Sequence, residues 1–255
     1  MTLDLQLKGK VAIVTGGAKG IGRGISEVLA EEGCHVVIAY RSDPQGSQAV
    51  ADEIAQKNGV KVLAIQADVS DPHAVDPLYD EAIRQLGPID ILINNAAGSA
   101  LGKPFDELTY EEWRIVQDNV LNSAFIMSKR FVHECRTHNR GGHIVNVLAK
   151  AAITANGTNK TAYISAKGGM MTMTRGLANE VTKDGIFVNG IVPGYVISNS
   201  HYHPGNADYL EKKKYLPTGE FATPRDMGVV AAFLCSPLAK QFIGAVVDCT
   251  GGTML

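Results

Sequence analysis

The 255-residue sequence predicts an α/β fold, a single doubly wound parallel sheet of about seven strands with helices on both faces. Three observations predict it. Short apolar runs rich in β-branched residues alternate with stretches of helical periodicity, the order that a parallel sheet with crossover helices requires. The first run passes through a glycine-rich turn directly into a helix. No linker or internal repeat breaks the alternation, so the length is assigned to one domain, 1–255, large enough to bury a core.

Val11–Thr15 is a continuous apolar run, as expected of a strand covered on both faces, and helical periodicity follows over 20–32. His35–Tyr40 and a helix over 46–57 come next, then Lys61–Gln66 with a helix over 72–86. Ile89–Ile93 precedes a long helical stretch over 110–138, and His143–Leu148 precedes one over 161–183. Ile186–Val192, a helix over 224–235 and a last strand Ala245–Asp248 complete the pattern. Ser198 to Gly219, rich in His, Pro, Gly, Tyr and Lys, interrupts it between a strand and a helix. Loops past the carboxyl ends of parallel strands hold ligands, so 198–219 is predicted to be a substrate lid, carrying His201, Tyr202, His203 and Tyr209.

A formal charge of 24 − 26 = −2, with no charged tail, argues against a nucleic-acid binder, which would need clustered phosphate-neutralising residues. Lys212-Lys213-Lys214 is too short a run to change that and reads as a solvated helix face. Cys34, Cys135, Cys235 and Cys249 are scattered without CxxC or ligand spacing, so free thiols are expected and metal is not. Met1–Lys10 lacks a basic stretch followed by an apolar run, so neither a signal peptide nor a membrane span is expected, and the expected location is the cytoplasm.

Two patterns carry chemistry. Gly16-Gly17-Ala18-Lys19-Gly20-Ile21-Gly22 joins the first strand to the first helix, and its missing side chains let a pyrophosphate approach backbone N–H groups at the positive end of that helix. The spacing is GxxxGxG rather than the GxGxxG of the general dinucleotide fingerprint. Tyr163 and Lys167, four apart, share one helix face. An ammonium beside a phenol draws its pKa down from about 10, fitting it to exchange a proton with a substrate oxygen.

Thr15-Gly16-x-x-x-Gly20-Ile21-Gly22, Asp68-Val69, Asn94-Asn95-Ala96-Ala97, Tyr163-x-x-x-Lys167, Pro193-Gly194-Tyr195-Val196-Ile197-Ser198 and Asp248-Cys249-Thr250-Gly251-Gly252 occur in one order. In that order they resemble the short-chain dehydrogenase/reductase family, over the chain from about Lys8 onward. The resemblance implies a single Rossmann domain, an NAD(P)(H)-dependent oxidoreductase acting on a carbonyl or alcohol, and a homotetramer or dimer. It places Asp68 on the adenine with Val69 beside it, and Asn95 and Ala96 at the ribose region. Ser198 falls where a hydroxyl contacts the nicotinamide amide, at the end of the Pro193, Gly194, Val196 phrase. Tyr163 is implied as acid or base, and Lys167 as the ribose ligand that depresses its pKa. The family usually has Gly where Ala97 stands. At the tip of the second strand, Ala39-Tyr40-Arg41-Ser42 carries no carboxylate. Arg41 and Ser42 suit a 2′-phosphate, Lys19 reaches the same point, and Asp43 comes one step too late to repel it, so NADP(H) is expected over NAD(H).

Two of the family's accompanying groups are irregular. Its serine usually follows the strand ending at Asn146, where this chain reads Asn146-Val147-Leu148-Ala149-Lys150-Ala151. Lys150 stands about where the serine belongs, either donating to the substrate oxygen or pointing into solvent; Thr154 and Thr158 are weaker hydroxyl substitutes. The family's helix asparagine falls on Val120 without a gap, flanked by Asn119 and Asn122, and Asn119 is the expected substitute. Asp118-Asn119-Val120-Leu121-Asn122 also resembles the dienoyl-CoA reductases, which lack the serine too but depart from YxxxK. The leading expectation is an NADP(H)-dependent carbonyl reductase or alcohol dehydrogenase. A reductase of 3-oxoacyl or 2,4-dienoyl thioesters, and an NADP(H)-binding protein with little catalysis, stand as alternatives.

Overall fold

In the computed structural model the described residues are 3–197, 202–204 and 207–254. They form one seven-stranded parallel sheet in the order β3-β2-β1-β4-β5-β6-β7. The strands are β1 Val11–Thr15, β2 His35–Tyr40, β3 Val62–Gln66, β4 Ile91–Asn94, β5 Gly142–Val147, β6 Ile186–Pro193 and β7 Val246–Cys249. The chain winds outward from β1 to β3, then crosses back to lay β4 on the other side of β1. That reversal opens a crevice beyond the carboxyl ends of β1 and β4.

Alternation along β1 divides the core. Ala12 and Val14 face a cluster built with Ile25 and Leu29 of α1 (Gly20–Glu31), Ile54 of α2 (Pro44–Asn58) and Met227 and Ala231 of α9 (Pro224–Leu234). Val11 and Ile13 face the opposite layer, with Leu78 and Tyr79 of α3 (Pro72–Leu86). Met127 and Phe131 of α5 (Ser123–Thr137) and Val181 of α7 (Thr161–Val181) lie in that layer as well. In the first layer α1 and α9 meet backbone to backbone. A Cβ on Gly24 would lie 2.3 Å from the Pro224 carbonyl, and one on Gly228 would lie 2.5 Å from Gly24 O.

β1 and β2 keep their expected limits, and those of β3 to β7 shift by one or two residues, as strand ends commonly do. Three differences are larger. The expected helix over 110–138 is α4 (Tyr110–Gln117), a π-turn over Asp118–Asn122, and α5. A short α6, Lys150–Thr154, follows β5. Inside the 198–219 segment lies α8, Ala207–Lys213, whose last turn carries Lys212 and Lys213 where cations favour the helix dipole. Ser198 and His201 lie outside the described residues. Among the described residues all four cysteines are free, no cluster suits a metal ion, and no helix is long and apolar enough to cross a membrane.

Candidate active site

The glycine turn is locked to the sheet's reversal point by Thr15 and Asn95. The Thr15 hydroxyl donates to Ile93 O at 3.2 Å and accepts from the N–H groups of Asn95 and Ala96 at 3.0 and 2.9 Å. Asn95 Nδ2 donates to Thr15 O at 2.9 Å. Gly16 and Gly20 hold left-handed conformations, φ +64° and +53°, that other residues adopt at a cost. A Cβ on Gly22 would sit 2.2 Å from Gly16 O, so the turn closes only around glycine. Gly17 is packed as tightly, with Ser26 donating to its carbonyl at 3.1 Å. Ile21 rests half-buried against the first core layer. Lys19 begins α1 without a side-chain cap and the first turn holds no acid, which leaves N–H groups and positive dipole for an anion. The residues present therefore fit a pyrophosphate.

Beside the turn lies a cavity of about 530 Å³. Gly16, Lys19, Arg41, Ser42, Asp68, Val69 and Ala96 all line it. Ser70 donates twice to Asp68 Oδ1, from N–H at 3.0 Å and from the hydroxyl at 2.6 Å, fixing that carboxylate at the wall. Among the described residues neither Arg41 nor Lys19 has an ion-pair partner. The carboxylate nearest in sequence, Asp43, is spent capping α2 by accepting from Gly46 N–H at 3.0 Å. Arg41 just past β2 and Lys19 in the glycine turn thus leave two cations on the rim of this cavity, a chemistry that suits phosphate.

Asn119 also lines this cavity. Its Oδ1 accepts from Arg41 Nη1 at 3.0 Å, and its Nδ2 donates to Ile115 O at 2.7 Å. The structure thus brings Asn119 to Arg41, while the hydrogen bonds of its side chain do not reach the Tyr163–Lys167 pair. The reason is the π-turn, which re-aims the helix face at 118–122. Val120, at the ungapped asparagine position, is fully buried between Ala124, Leu148 and Met170.

Tyr163 and Lys167 share a face of α7, the ammonium 6.0 Å from the phenol ring centroid. Lys167 is almost completely buried and donates to Val147 O at 2.5 Å, with Met170 Sδ at 3.8 Å. Burial lowers its pKa to about 8. Burial likewise raises the pKa of Tyr163, the opposite of the lowering expected from a neighbouring ammonium. Desolvation outweighs attraction here because the ammonium is turned toward the β5 carbonyl. Lys150, first residue of α6, neither enters solvent freely nor meets Tyr163. Half-buried, it stands 4.6 Å over the ring of Tyr195. The Thr154 hydroxyl is spent on Lys150 O at 3.3 Å.

Past β6, Pro193 pairs with Cys249 in register, and a Cβ on Gly194 would lie 2.7 Å from Thr250. Val196 bridges to Ala222, and Ile197 N–H donates to Ala222 O at 2.8 Å. An aromatic wall stands next to it. Tyr195 meets Tyr202 edge-on at 5.2 Å, and Tyr209 stacks on Phe221 at 4.4 Å. Sequence reading singled out Tyr202 and Tyr209 but missed Tyr195 and Phe221. The run of aromatics flanking the lid, spread over both of its ends, was the available signal.

A family model described as enoyl-(acyl carrier protein) reductase matches residues 16–254. The chain is 32% identical over 250 residues to glucose 1-dehydrogenase 2 of Bacillus subtilis, covering 98% of this chain and 96% of that protein. It is 31% identical over 250 residues to the 3-oxoacyl-[acyl-carrier-protein] reductase FabG of Aquifex aeolicus, covering 98% and 99%. Among solved structures, L-sorbose reductase of Gluconobacter frateurii, complexed with NADPH and L-sorbose, superposes with a TM-score of 0.90 at 28% identity over 99% of both chains. From the matched motifs, the locked glycine turn and these relatives, the chain belongs to the short-chain dehydrogenase/reductase family of NAD(P)-dependent oxidoreductases.

Proposed function

We propose that the protein is an NADP(H)-dependent reductase or dehydrogenase of a carbonyl/alcohol pair, with Tyr163 as the general acid/base. The observation that carries the cofactor preference is the pair of uncompensated cations, Lys19 and Arg41, beside Ser42 and the α2-capping Asp43. The N–H groups from Gly16, Gly17 and Gly20–Gly22 would hold the pyrophosphate, Asp68 and Val69 the adenine, and Asn95 and Ala96 the ribose region. Lys167 would hold the nicotinamide ribose, with Pro193, Gly194, Val196 and Ser198 around the nicotinamide. When bound, the cofactor supplies or accepts the hydride. Tyr163, kept protonated by burial at neutral pH, donates its proton to the carbonyl oxygen in the reductive direction and must lose it for oxidation. Lys150 is assigned the substrate side of the site. An ammonium in place of a hydroxyl favours a developing alkoxide by charge as well as by hydrogen bonding.

The NADPH complexes among structural relatives support the cofactor reading, and relatives named for glucose and L-sorbose support sugars as the first substrates to test. The Aquifex relative and the family model favour 3-oxoacyl or 2,4-dienoyl thioesters as the second reading. Initial rates at 340 nm on sugars, simple carbonyls and acyl thioesters, with NADPH and with NADH, test both. Higher kcat/KM with NADH would make this an NAD(H) enzyme. Tight NADPH binding without turnover on any substrate would leave a cofactor-binding protein. We further propose a homotetramer, with a dimer as the alternative, working in the cytoplasm. Its support is the apolar face of α5 and α7 and the free thiols held inert by burial, Cys34 pushed up to about 12.

A further inference from the structure

Arg41 is the cation best placed for an adenosine 2′-phosphate, and a guanidinium on a long side chain recognises phosphate well only when its fork is held. The holding group is Asn119. Its Nδ2 is committed to Ile115 O, which leaves Oδ1 turned to the cavity, where it accepts from Arg41 Nη1 at 3.0 Å. Gly98 passes close beside this side chain, where a Cβ would lie 3.0 Å from Asn119 Cβ and Cγ. The Arg41 backbone is pinned in turn by Gln66 Nε2, which donates to its carbonyl at 3.1 Å. A neutral acceptor steadies the guanidinium without cancelling its charge, and the remaining N–H donors stay free. We infer that Asn119 is a positioning residue for Arg41, setting the enzyme's discrimination between phosphorylated and unphosphorylated adenosine ribose. This rests on the NADP(H) reading.

The test is fluorescence titration of the whole enzyme with NADPH and with NADH, in wild type, Asn119→Ala, Asn119→Asp, Arg41→Ala and the Arg41→Ala/Asn119→Ala pair. Asn119→Ala is expected to weaken NADPH about tenfold while moving NADH less than about twofold. Asn119→Asp keeps the shape, adds an anion that pairs with Arg41 and opposes phosphate, and is expected to weaken NADPH at least as much. In the Arg41→Ala background Asn119→Ala adds nothing. Equal weakening of both cofactors, additive effects with Arg41→Ala, or a loss confined to kcat at saturating NADPH would each overturn the inference. The last of these would return Asn119 to the proton path. Wild type binding NADH more tightly than NADPH would instead sink the cofactor reading itself, before any variant is made.

Discussion

Tyr163 and Lys167 sit in the same desolvated pocket, and burial acts against the charged form of each. For Tyr163 this keeps the phenol protonated through neutral pH, so reduction should run from neutral pH downward without loss from this group, while oxidation climbs only above the ordinary phenol range. Tyr163→Phe should lower kcat for reduction by about 100- to 10,000-fold with NADPH binding retained. Fluorescence titration beside a rate assay checks it, and a variant within tenfold of wild type would remove Tyr163 from the proton transfer. For Lys167 the consequence is a pH dependence of stability. Its folded pKa, about 8, lies below the unfolded value near 10.4, so between those values the unfolded chain binds the extra proton. This contribution is fully present above the unfolded value and is lost as pH falls through about 8. Urea midpoints of wild type, compared with Lys167→Met, should therefore gain on the variant from pH 8 to pH 10, and a pH-independent difference would contradict the burial. Lys150 gives the sharpest single-residue test of the site. Lys150→Ala and Lys150→Ser should both lower kcat/KM by roughly tenfold or more if its ammonium serves the alkoxide. Unchanged kcat in both would leave it a surface cation resting on Tyr195.

The elements fall into those that periodicity exposes and those that it hides. β1 and β2 match their expected limits residue for residue, and the glycine turn was legible because only glycine fits its φ values and contacts. The π-turn was not legible. The apolar pattern of 110–138 runs on unbroken, and the extra residue in the turn is accommodated by Asn119 bonding Ile115 O, a local event with no compositional mark. α6 and α8 were hidden for another reason, since five and seven residues are too few to show a period. The crossing of α1 and α9 is a feature that sequence names only as two glycines in separate helices. Gly24→Ala would drive a methyl to 2.3 Å from the Pro224 backbone, forcing the helices apart. It should destabilise the fold by about 1–3 kcal/mol. Since Gly24 lies one turn from the glycine turn proposed to hold the pyrophosphate, NADPH affinity should fall in the same variant. A thermal midpoint equal to wild type would show that the helices yield at no cost.

At the scale of the whole molecule, the topology places every motif of the family order at one edge of the sheet, which is why the cofactor half of the site was readable from spacing. The proposed substrate half draws on Lys150 over Tyr195 and on Tyr209 against Phe221, contacts that follow from tertiary packing that no local pattern encodes. The assembly is a property of surfaces. A groove of about 350 Å³ runs between α5 and α7, where Phe125, Val132, Met173 and Leu177 are joined by Lys129, His133, Arg136 and Glu180, with Phe125 53% exposed. A second set of exposed apolar side chains, Leu238, Phe242 and Ile243, precedes β7, where the chain comes back against α7: a Cβ on Gly244 would lie 3.3 Å from Arg175 Cα. In the proposed tetramer of dihedral symmetry each subunit would meet its copies across different two-fold axes, and these two sets of exposed apolar side chains are the candidates for those contacts. Phe125→Asp introduces a carboxylate at the first patch, and Ile243→Asp at the second, both at side chains outside the core. Each single variant should halve the mass seen by light scattering, the double variant should halve it again, and thermal stability of the monomer should hold. A wild type that is dimeric, losing its partner to one substitution and indifferent to the other, would assign the interface to that patch alone.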